Sequence, residues 1–305
     1  MKKSALLAYV CFSLLLSTQA LGDEVKIYRD AIDFAPYETP YVKLNGVTRL
    51  SSTDDRFGGL SGLMKTNKGY LAVSDRAHLF DFQDNDFSTA EVMPLLEKND
   101  DPLDGKRRRD AESLAQGPDG GIYVSFERDH RVVLYNRAGY VISKDMPFTK
   151  DYSSLSNNSG LEAIETFKDV RLVLIGEGKK NGETSPLWVQ EKSGWKKKQI
   201  DKQDGFRPTG LARIPETNRF LLLERYYAPI EGVRVRLSEL DVNTGKRLAR
   251  WAELGPPTPI DNLEGITVHK NEQGVMVVTL ISDDNFSVLQ RTLVLQLNVK
   301  KPALK

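Results

Sequence analysis

Short runs of alternating or uniformly apolar residues recur along the chain, each entered through a turn. Tyr70-Leu-Ala-Val-Ser74 follows Asn67-Lys-Gly69, and Gly121-Ile-Tyr-Val-Ser125 opens from Pro118-Asp-Gly-Gly121. Arg171-Leu-Val-Leu-Ile175 follows Lys168-Asp169, and Phe220-Leu-Leu-Leu223 follows Pro215-Glu-Thr-Asn218. The last, Val275-Met-Val-Val-Thr-Leu-Ile281, follows Asn271-Glu-Gln-Gly274. Gly, Pro, Asn and Asp punctuate the chain because they accept turn dihedrals, and the runs between them read as strands of tight hairpins. Arg131-Val-Val-Leu-Tyr135 and Val233-Arg-Val-Arg-Leu237 add further strands. No long helical periodicity occurs beyond the first residues, so the pattern predicts an all-β protein.

Upstream of each hairpin turn stands a short motif: Gly59-Leu-Ser-Gly-Leu63, Asp110-Ala-Glu-Ser-Leu114, Gly160-Leu-Glu-Ala-Ile164, Pro208-Thr-Gly-Leu211 and Asn262-Leu-Glu-Gly-Ile266. Ser61, Glu112, Glu162, Thr209 and Glu264 are its registered positions, spaced 51, 50, 47 and 55 residues apart. Units of about fifty residues with roughly four short strands are the mark of propeller blades. The count favours five blades, with six if the N-terminal region builds more of a blade. The final unit is one strand short after Arg291-Thr-Leu-Val-Leu-Gln-Leu297, and the stretch Tyr41-Val-Lys-Leu44 to Val47-Thr-Arg-Leu50 is expected to supply it and close the ring.

Each second strand ends in an acid: Asp75, Glu127, Glu177, Glu224 and Asp283. The start of one strand and the end of the next lie at the same end of a hairpin. Each motif residue is therefore expected opposite its strand-end acid, about 5 Å away at Cβ, on one face of the disc. Carboxylates so placed repel and need cations. Arg76, Arg128 and Arg225 each follow a strand-end acid and could supply them, orienting the acids or binding an anionic substrate. A divalent metal is the other source, and an all-oxygen ligand set favours Ca²⁺, with Mg²⁺ or Mn²⁺ behind it, over zinc. Glu112, Glu162, Glu264 and Asp283 are the first-choice ligands. Asp75, Glu127, Glu177, Glu224 and Asp284 stand behind them, and Asn158, Asn262 and Asn285 offer neutral oxygens. The competing reading is a structural ring of ion pairs that spaces the blades.

Composition narrows the classes. Lys2 and Lys3, an apolar run from Ala5 to Leu16 and small residues up to Gly22 read as a cleaved export signal over 1–22, with the propeller over 23–305 and a periplasmic or secreted location. The only cysteine, Cys11, lies within that signal, so thiol catalysis and cysteine-held zinc are excluded from the mature chain. Two of the 43 basic residues and none of the 42 acidic ones fall in 1–22, leaving 41 against 42. Such a balance gives no field for nucleic acid, and the local run Lys106-Arg-Arg-Arg109 reads as a solvated loop. No later segment is long and apolar enough to span a membrane. Gly59-Leu-Ser-Gly62 lacks the spacing of a nucleophile elbow, and His78, His130 and His269 do not pair at metal-ligand spacing.

Taken together, Leu71-Ala-Val-Ser-Asp-Arg76, Asp110-Ala-Glu-Ser-Leu114, Asn158-Ser-Gly-Leu-Glu-Ala-Ile164, Asp261-Asn-Leu-Glu-Gly-Ile266 and Ile281-Ser-Asp-Asp-Asn-Phe286 with Gln290-Arg-Thr292 resemble the "esterase-like activity of phytase" family. The resemblance covers nearly all of 23–305 and implies a phytase-like propeller with ester-cleaving activity. It carries the family's suspected active-region glutamates onto Glu112, Glu162 and Glu264, and leaves Ser61 and Thr209 where acids would complete the set. The chain does not match the motifs of the classical calcium-dependent propeller phytases, although Arg56, Arg76, Arg128, Arg207 and Arg225 offer phosphate-binding forks. The expected function is a metal-dependent hydrolase of a small anionic or ester substrate. The alternatives are a lactonase, since gluconolactonase-type propellers centre one metal on Glu, Asn and Asp, and a non-catalytic binding or scaffold propeller.

Overall fold

The computed structural model describes residues 22–143, 155, 160–179 and 181–300. Three strands precede the first repeat: β1 (Asp23–Lys26), β2 (Tyr28–Ala31) and β3 (Val42–Ser51). Blade 1 is β4 (Leu60–Lys65), β5 (Tyr70–Ser74), β6 (His78–Phe82) and β7 (Thr89–Pro94). A single helical turn, α1 (Lys106–Arg109), leads into blade 2, which is β8 (Ala111–Gln116), β9 (Ile122–Phe126), β10 (Arg131–Tyr135) and β11 (Val141–Ser143). Blade 3 is β12 (Ala163–Thr166), β13 (Leu172–Ile175), β14 (Thr184–Glu191) and β15 (Gly194–Asp201). Blade 4 is β16 (Arg207–Arg213), β17 (Phe220–Ala228), β18 (Gly232–Asp241) and β19 (Lys246–Leu254). Blade 5 has β20 (Asn262–Lys270), β21 (Met276–Asp283) and β22 (Thr292–Val299).

Each blade is an antiparallel meander, and the five form a closed ring, a five-bladed β-propeller. The first strand of every blade is innermost: β4, β8, β12, β16 and β20 each neighbour the next around the channel, and β20 returns to β4. β3 pairs with β22 along Val42–Leu50 and Thr292–Val299, so the N-terminal stretch completes blade 5 as the repeat pattern predicts. β2 adds an outer edge to β3, and β1 does the same for β7. The expected leader, 1–22, lies outside the described residues apart from Gly22. Among the described residues no helix is long and apolar enough to cross a membrane.

The core is distributed between blades. One apolar cluster joins blades 5 and 1 through Ile281, Val294, Leu60 and Phe80, and another joins 1 and 2 through Val73, Leu79, Leu114 and Val124. Trp188 belongs to the cluster between blades 2 and 3 and Trp251 to that between 4 and 5, each about 1% exposed. A fifth cluster, with Val173, Ile175, Phe220 and Leu222, joins 3 and 4. Sheets of alternating residues are apolar on both faces here because both faces of every blade are covered.

Around the channel the inner strands crowd. The residue after each registered motif position is small: Gly62, Ser113, Ala163, Gly210 and Gly265. A Cβ on Gly62 would lie 2.8 Å from a methyl of Leu114 in the next blade, a distance that requires rearrangement. Side chains also bridge neighbouring inner strands: Thr209 Oγ1 donates to Leu263 O at 3.2 Å and Ser113 Oγ accepts from Ile164 N at 3.3 Å.

Candidate active site

The registered motif residue is in each blade a β-bulge. Pairing jumps from Leu60↔Ser74 to Gly62↔Val73, from Ala111↔Phe126 to Ser113↔Ser125, from Pro208↔Glu224 to Gly210↔Leu223, and from Leu263↔Ser282 to Gly265↔Ile281. Ser61, Glu112, Thr209 and Glu264 are the extra residues. In blade 3, Glu177 N donates to Gly160 O at 3.2 Å while Ala163 pairs with Ile175, so one additional residue is inserted beside Glu162 as well. A bulge leaves one residue unpaired and re-aims its side chain. The expectation of directly opposed acid pairs is corrected accordingly: each strand-end residue pairs with the position two before the bulge. Those pairs are Gly59 with Asp75, Asp110 with Glu127, Gly160 with Glu177, Arg207 with Arg225 and Asn262 with Asp283.

That register also corrects Glu224. The position equivalent to Asp75, Glu127, Glu177 and Asp283 is Arg225. Glu224 is one residue off, which turns its side chain to the opposite face of the blade. It is fully buried there, accepting from Arg247 Nε at 3.1 Å and Ser238 Oγ at 3.0 Å, with a second contact to Arg247 Nη2. Glu224→Gln is expected to lower stability by about 2 kcal/mol, the scale of a hydrogen bond to a charged group, while leaving any calcium-induced rise in Tm intact. Thermal melts with and without Ca²⁺ check both halves.

Seven carboxylates nevertheless converge on one mouth of the channel: Asp75, Glu112, Glu127, Glu162, Glu177, Glu264 and Asp283. Asp110, which sequence reasoning passed over as a mere motif opener, is an eighth. Oxygens of Asp110, Glu112 and Glu127 all lie within 4.8 Å of one another. Burial is the largest cause raising Glu112, followed by the charges of Glu162, Glu264, Glu127 and Asp110, and its carboxyl is held well above the usual range. Glu162 is raised in the same way by burial and then by Glu127, Glu177 and Glu264, although its Oε1 accepts from Gly160 N at 2.9 Å. Burial pushes Glu127 up to about 7 and Asp75 up to about 6, with Asp110 the next contributor to each. Asp283 is raised by burial and by Glu264, while its Oδ1 accepts from Asn285 N at 2.6 Å. Burial also raises Glu264, opposed by Arg225 and by hydrogen bonds from Asn262 and Ser61. Gly160 is required by this crowding, since a Cβ there would approach Glu127 Cγ to 2.6 Å.

Cations offset only part of this charge. Arg225 Nη1 stands 3.7 Å from Glu264, Arg207 bonds Glu177 at 2.6 Å, and Arg128 bonds Asp110 and reaches Glu127 at 4.0 Å. Arg76 stays exposed and packs its guanidinium 3.2 Å over the Phe286 ring. Asp284 is used structurally, accepting from Gly59 N at 2.9 Å, Phe286 N at 3.0 Å and Thr292 Oγ1 at 3.0 Å. His78 is half-buried, its Nδ1 without a partner. Asn158 lies outside the described residues. Among the described residues two buried oxygens of the acid mouth also have no hydrogen-bond partner: Asp75 Oδ1 and the Oδ1 of Asn262, whose Nδ2 donates to Glu264 at 2.8 Å. Buried acceptors without donors are rare in folded proteins, and a cation or a water is what satisfies them.

The sequence matches the family described as phytase-like, esterase-like activity of phytase, over residues 55–286. The chain belongs to that family. This phytase-like propeller has no match among curated proteins. Among solved structures it is similar to an endo-arabinase from Bacteroides thetaiotaomicron (TM-score 0.51, 9% identity, covering 79% of this chain and 94% of that one). A catalytically inactive virginiamycin B lyase from Staphylococcus aureus aligns with TM-score 0.46 and 9% identity over 90% of this chain and 99% of that one. Hydrazine synthase from Kuenenia stuttgartiensis aligns with TM-score 0.42 and 11% identity over 75% of this chain, which spans only 58% of that chain. At such identities the likeness concerns the fold alone. The phytase-like match spans all five bulged positions, from Ser61 to Glu264.

Proposed function

We propose that the acid mouth is the active site of an exported, metal-dependent hydrolase of phosphate or carboxylic esters. The observation that carries this reading is the meeting of Asp110, Glu112 and Glu127 within 4.8 Å, beside the partnerless Asn262 and Asp75 oxygens. The donor set is all oxygen and suits a hard cation, Ca²⁺ first and Mg²⁺ or Mn²⁺ next. Asp110, Glu112 and Glu127 would hold it, and a cation there supplies Lewis acidity and a more acidic water. Burial and neighbouring acids raise Glu162, and Gly160 N occupies its Oε1, so a proton on Oε2 would make it a donor to a leaving group. Arg225 and Arg207 fix Glu264 and Glu177 and give one side of the mouth a positive edge for an anionic substrate. The leader over 1–22 supports a periplasmic or secreted location.

The test is the Tm of the protein without its leader in EDTA and with Ca²⁺, Mg²⁺ or Mn²⁺, followed by phosphomonoesters, carboxylic esters and lactones as substrates. A rise with Ca²⁺ reversed by EDTA, with turnover of an ester, is expected, because a ligand that binds only the folded state stabilises it. No shift with any metal overturns the reading and leaves the ring of acids and arginines as structure. Stabilisation without turnover would make this a binding propeller, and turnover of lactones alone a lactonase.

A further inference from the structure

The opposite mouth of the channel has a different chemistry. The inner strands end there at Lys65, Gln116, Thr166, Arg213 and Lys270, and a cavity of about 870 Å³ opens among them. From Glu264 to Lys270 along β20 is six residues, which at about 3.3 Å per residue places this cavity roughly 20 Å from the acid mouth.

Two of its cations form no ion pair among the described residues. Neither Lys65 nor Arg213 is bridged to a carboxylate, although the charge of Arg213 acts on Glu165 from nearby, and Arg213 Nε is buried without a hydrogen-bond partner. Lys65 Nζ donates only to the backbone carbonyl of Thr66, at 2.5 Å, and lies 5.2 Å from the centre of the Tyr70 ring. Burial alone holds that amine below its ordinary range, with no acid opposing the shift. The acids on the same wall are Glu165 and Glu272. Glu165 accepts from Thr166 N at 2.7 Å and Arg213 N at 3.0 Å, its oxygens directed at backbone, and Glu272 is exposed. Lys270 is already paired with Glu216 at 2.8 Å. His269, between the two cations in the ring of blades, is pushed down to about 4 by burial and by Lys65, so it is neutral at pH 7 and adds no charge.

Between apolar patches from Met64, Val268 and Val277, the wall carries amides and hydroxyls: Asn45, Gln116, Thr267, Gln296 and Asn298 among them. Such groups donate and accept, which suits a ligand rich in hydroxyls. An arginine fork and a desolvated lysine suit an oxyanion. We infer that this cavity is a second binding site, for a small hydroxylated anion of the sugar-phosphate class, with Lys65 and Arg213 as the charge-bearing contacts.

Isothermal titration of glucose 6-phosphate into the protein without its leader, in EDTA so that the acid mouth repels anions, tests this. One saturable site per chain is expected, with unphosphorylated glucose at least about tenfold weaker. Arg213→Gln and Lys65→Gln should each weaken binding by about tenfold or more with unchanged melting of the free protein, while Glu112→Gln at the other mouth leaves the affinity as it was. Absence of binding at millimolar ligand, or affinity indifferent to both cavity variants, overturns the assignment. Glucose binding as tightly as its phosphate overturns the anionic part of it, and loss of binding in Glu112→Gln would place the ligand at the acid mouth instead.

Discussion

Glu112→Gln is expected to abolish the calcium-dependent rise in Tm and to reduce ester hydrolysis by more than about a hundredfold. Glu112 is the bulged residue of blade 2 and the middle member of the Asp110–Glu112–Glu127 cluster. The amide keeps the shape and removes both the charge and one anionic oxygen. A hundredfold loss of cation affinity corresponds to about 2.7 kcal/mol of linked stability. The same variant should melt higher than the parent in EDTA at pH 8. Glu162, Glu264, Glu127 and Asp110 all disfavour the charge of Glu112 there, and a neutral side chain relieves that repulsion. A role confined to blade spacing predicts no calcium term to lose, so a variant that retains the full calcium shift would remove Glu112 from the site.

In EDTA the protein should be most stable near pH 5 and become steadily less stable as pH rises to 8. Glu127 is raised from 4.5 to about 7, and Asp75 from 3.8 to about 6. A group with a raised folded pKa binds a proton that the unfolded chain has already released. Its stabilisation is complete below the unfolded value and is lost as pH climbs through the folded one. The Glu127 side chain is only 12% exposed. Its shift alone is worth on the order of 3 kcal/mol across that window. Glu112, Glu162, Glu264 and Asp283 act in the same direction. Saturating Ca²⁺ should flatten the slope or reverse it, because the cation takes the place of the protons. Denaturant melts at pH 5, 6, 7 and 8 with and without Ca²⁺ check the sign, and stability that rises with pH in EDTA would show that the acids are compensated by groups of the protein itself.

The fold was legible because its signals are local. Alternation marks strands such as Arg131–Tyr135, turn residues mark their ends, and a fifty-residue period marks the blade. The unpaired apolar stretch after Tyr41 also foretold the closure, since blade 5 otherwise ended one strand short. The acids of the mouth were legible as residue types at a repeating position. Their pairing was not, because a bulge is a property of two strands and not of one. Glu224 shows how this misleads. The connection after the inner strand is 117–121 in blade 2 and 214–219 in blade 4, one residue longer. A strand-end acid read at constant spacing therefore falls on Glu224, and the channel position passes to Arg225. Comparing loop lengths between repeats was the signal available for that correction. Asp110 was visible only as the residue two before a bulge, a meaning it acquires once the bulge is known.

β3 (Val42–Ser51) is synthesised well before its partner β22, which ends at Val299. Until β22 is made, β2 can pair with one edge of Val42–Ser51, but the other edge stays open beside buried-type residues such as Val42, Leu44, Val47 and Leu50. Four blades can form in order as they emerge, but the two mouths exist only once the ring is shut. A chain cut short ahead of β22 thus has its inner-strand acids and cations already made and neither mouth assembled around a closed axis. The clasp makes the closed axis, and with it the assembly of both mouths, depend on β22.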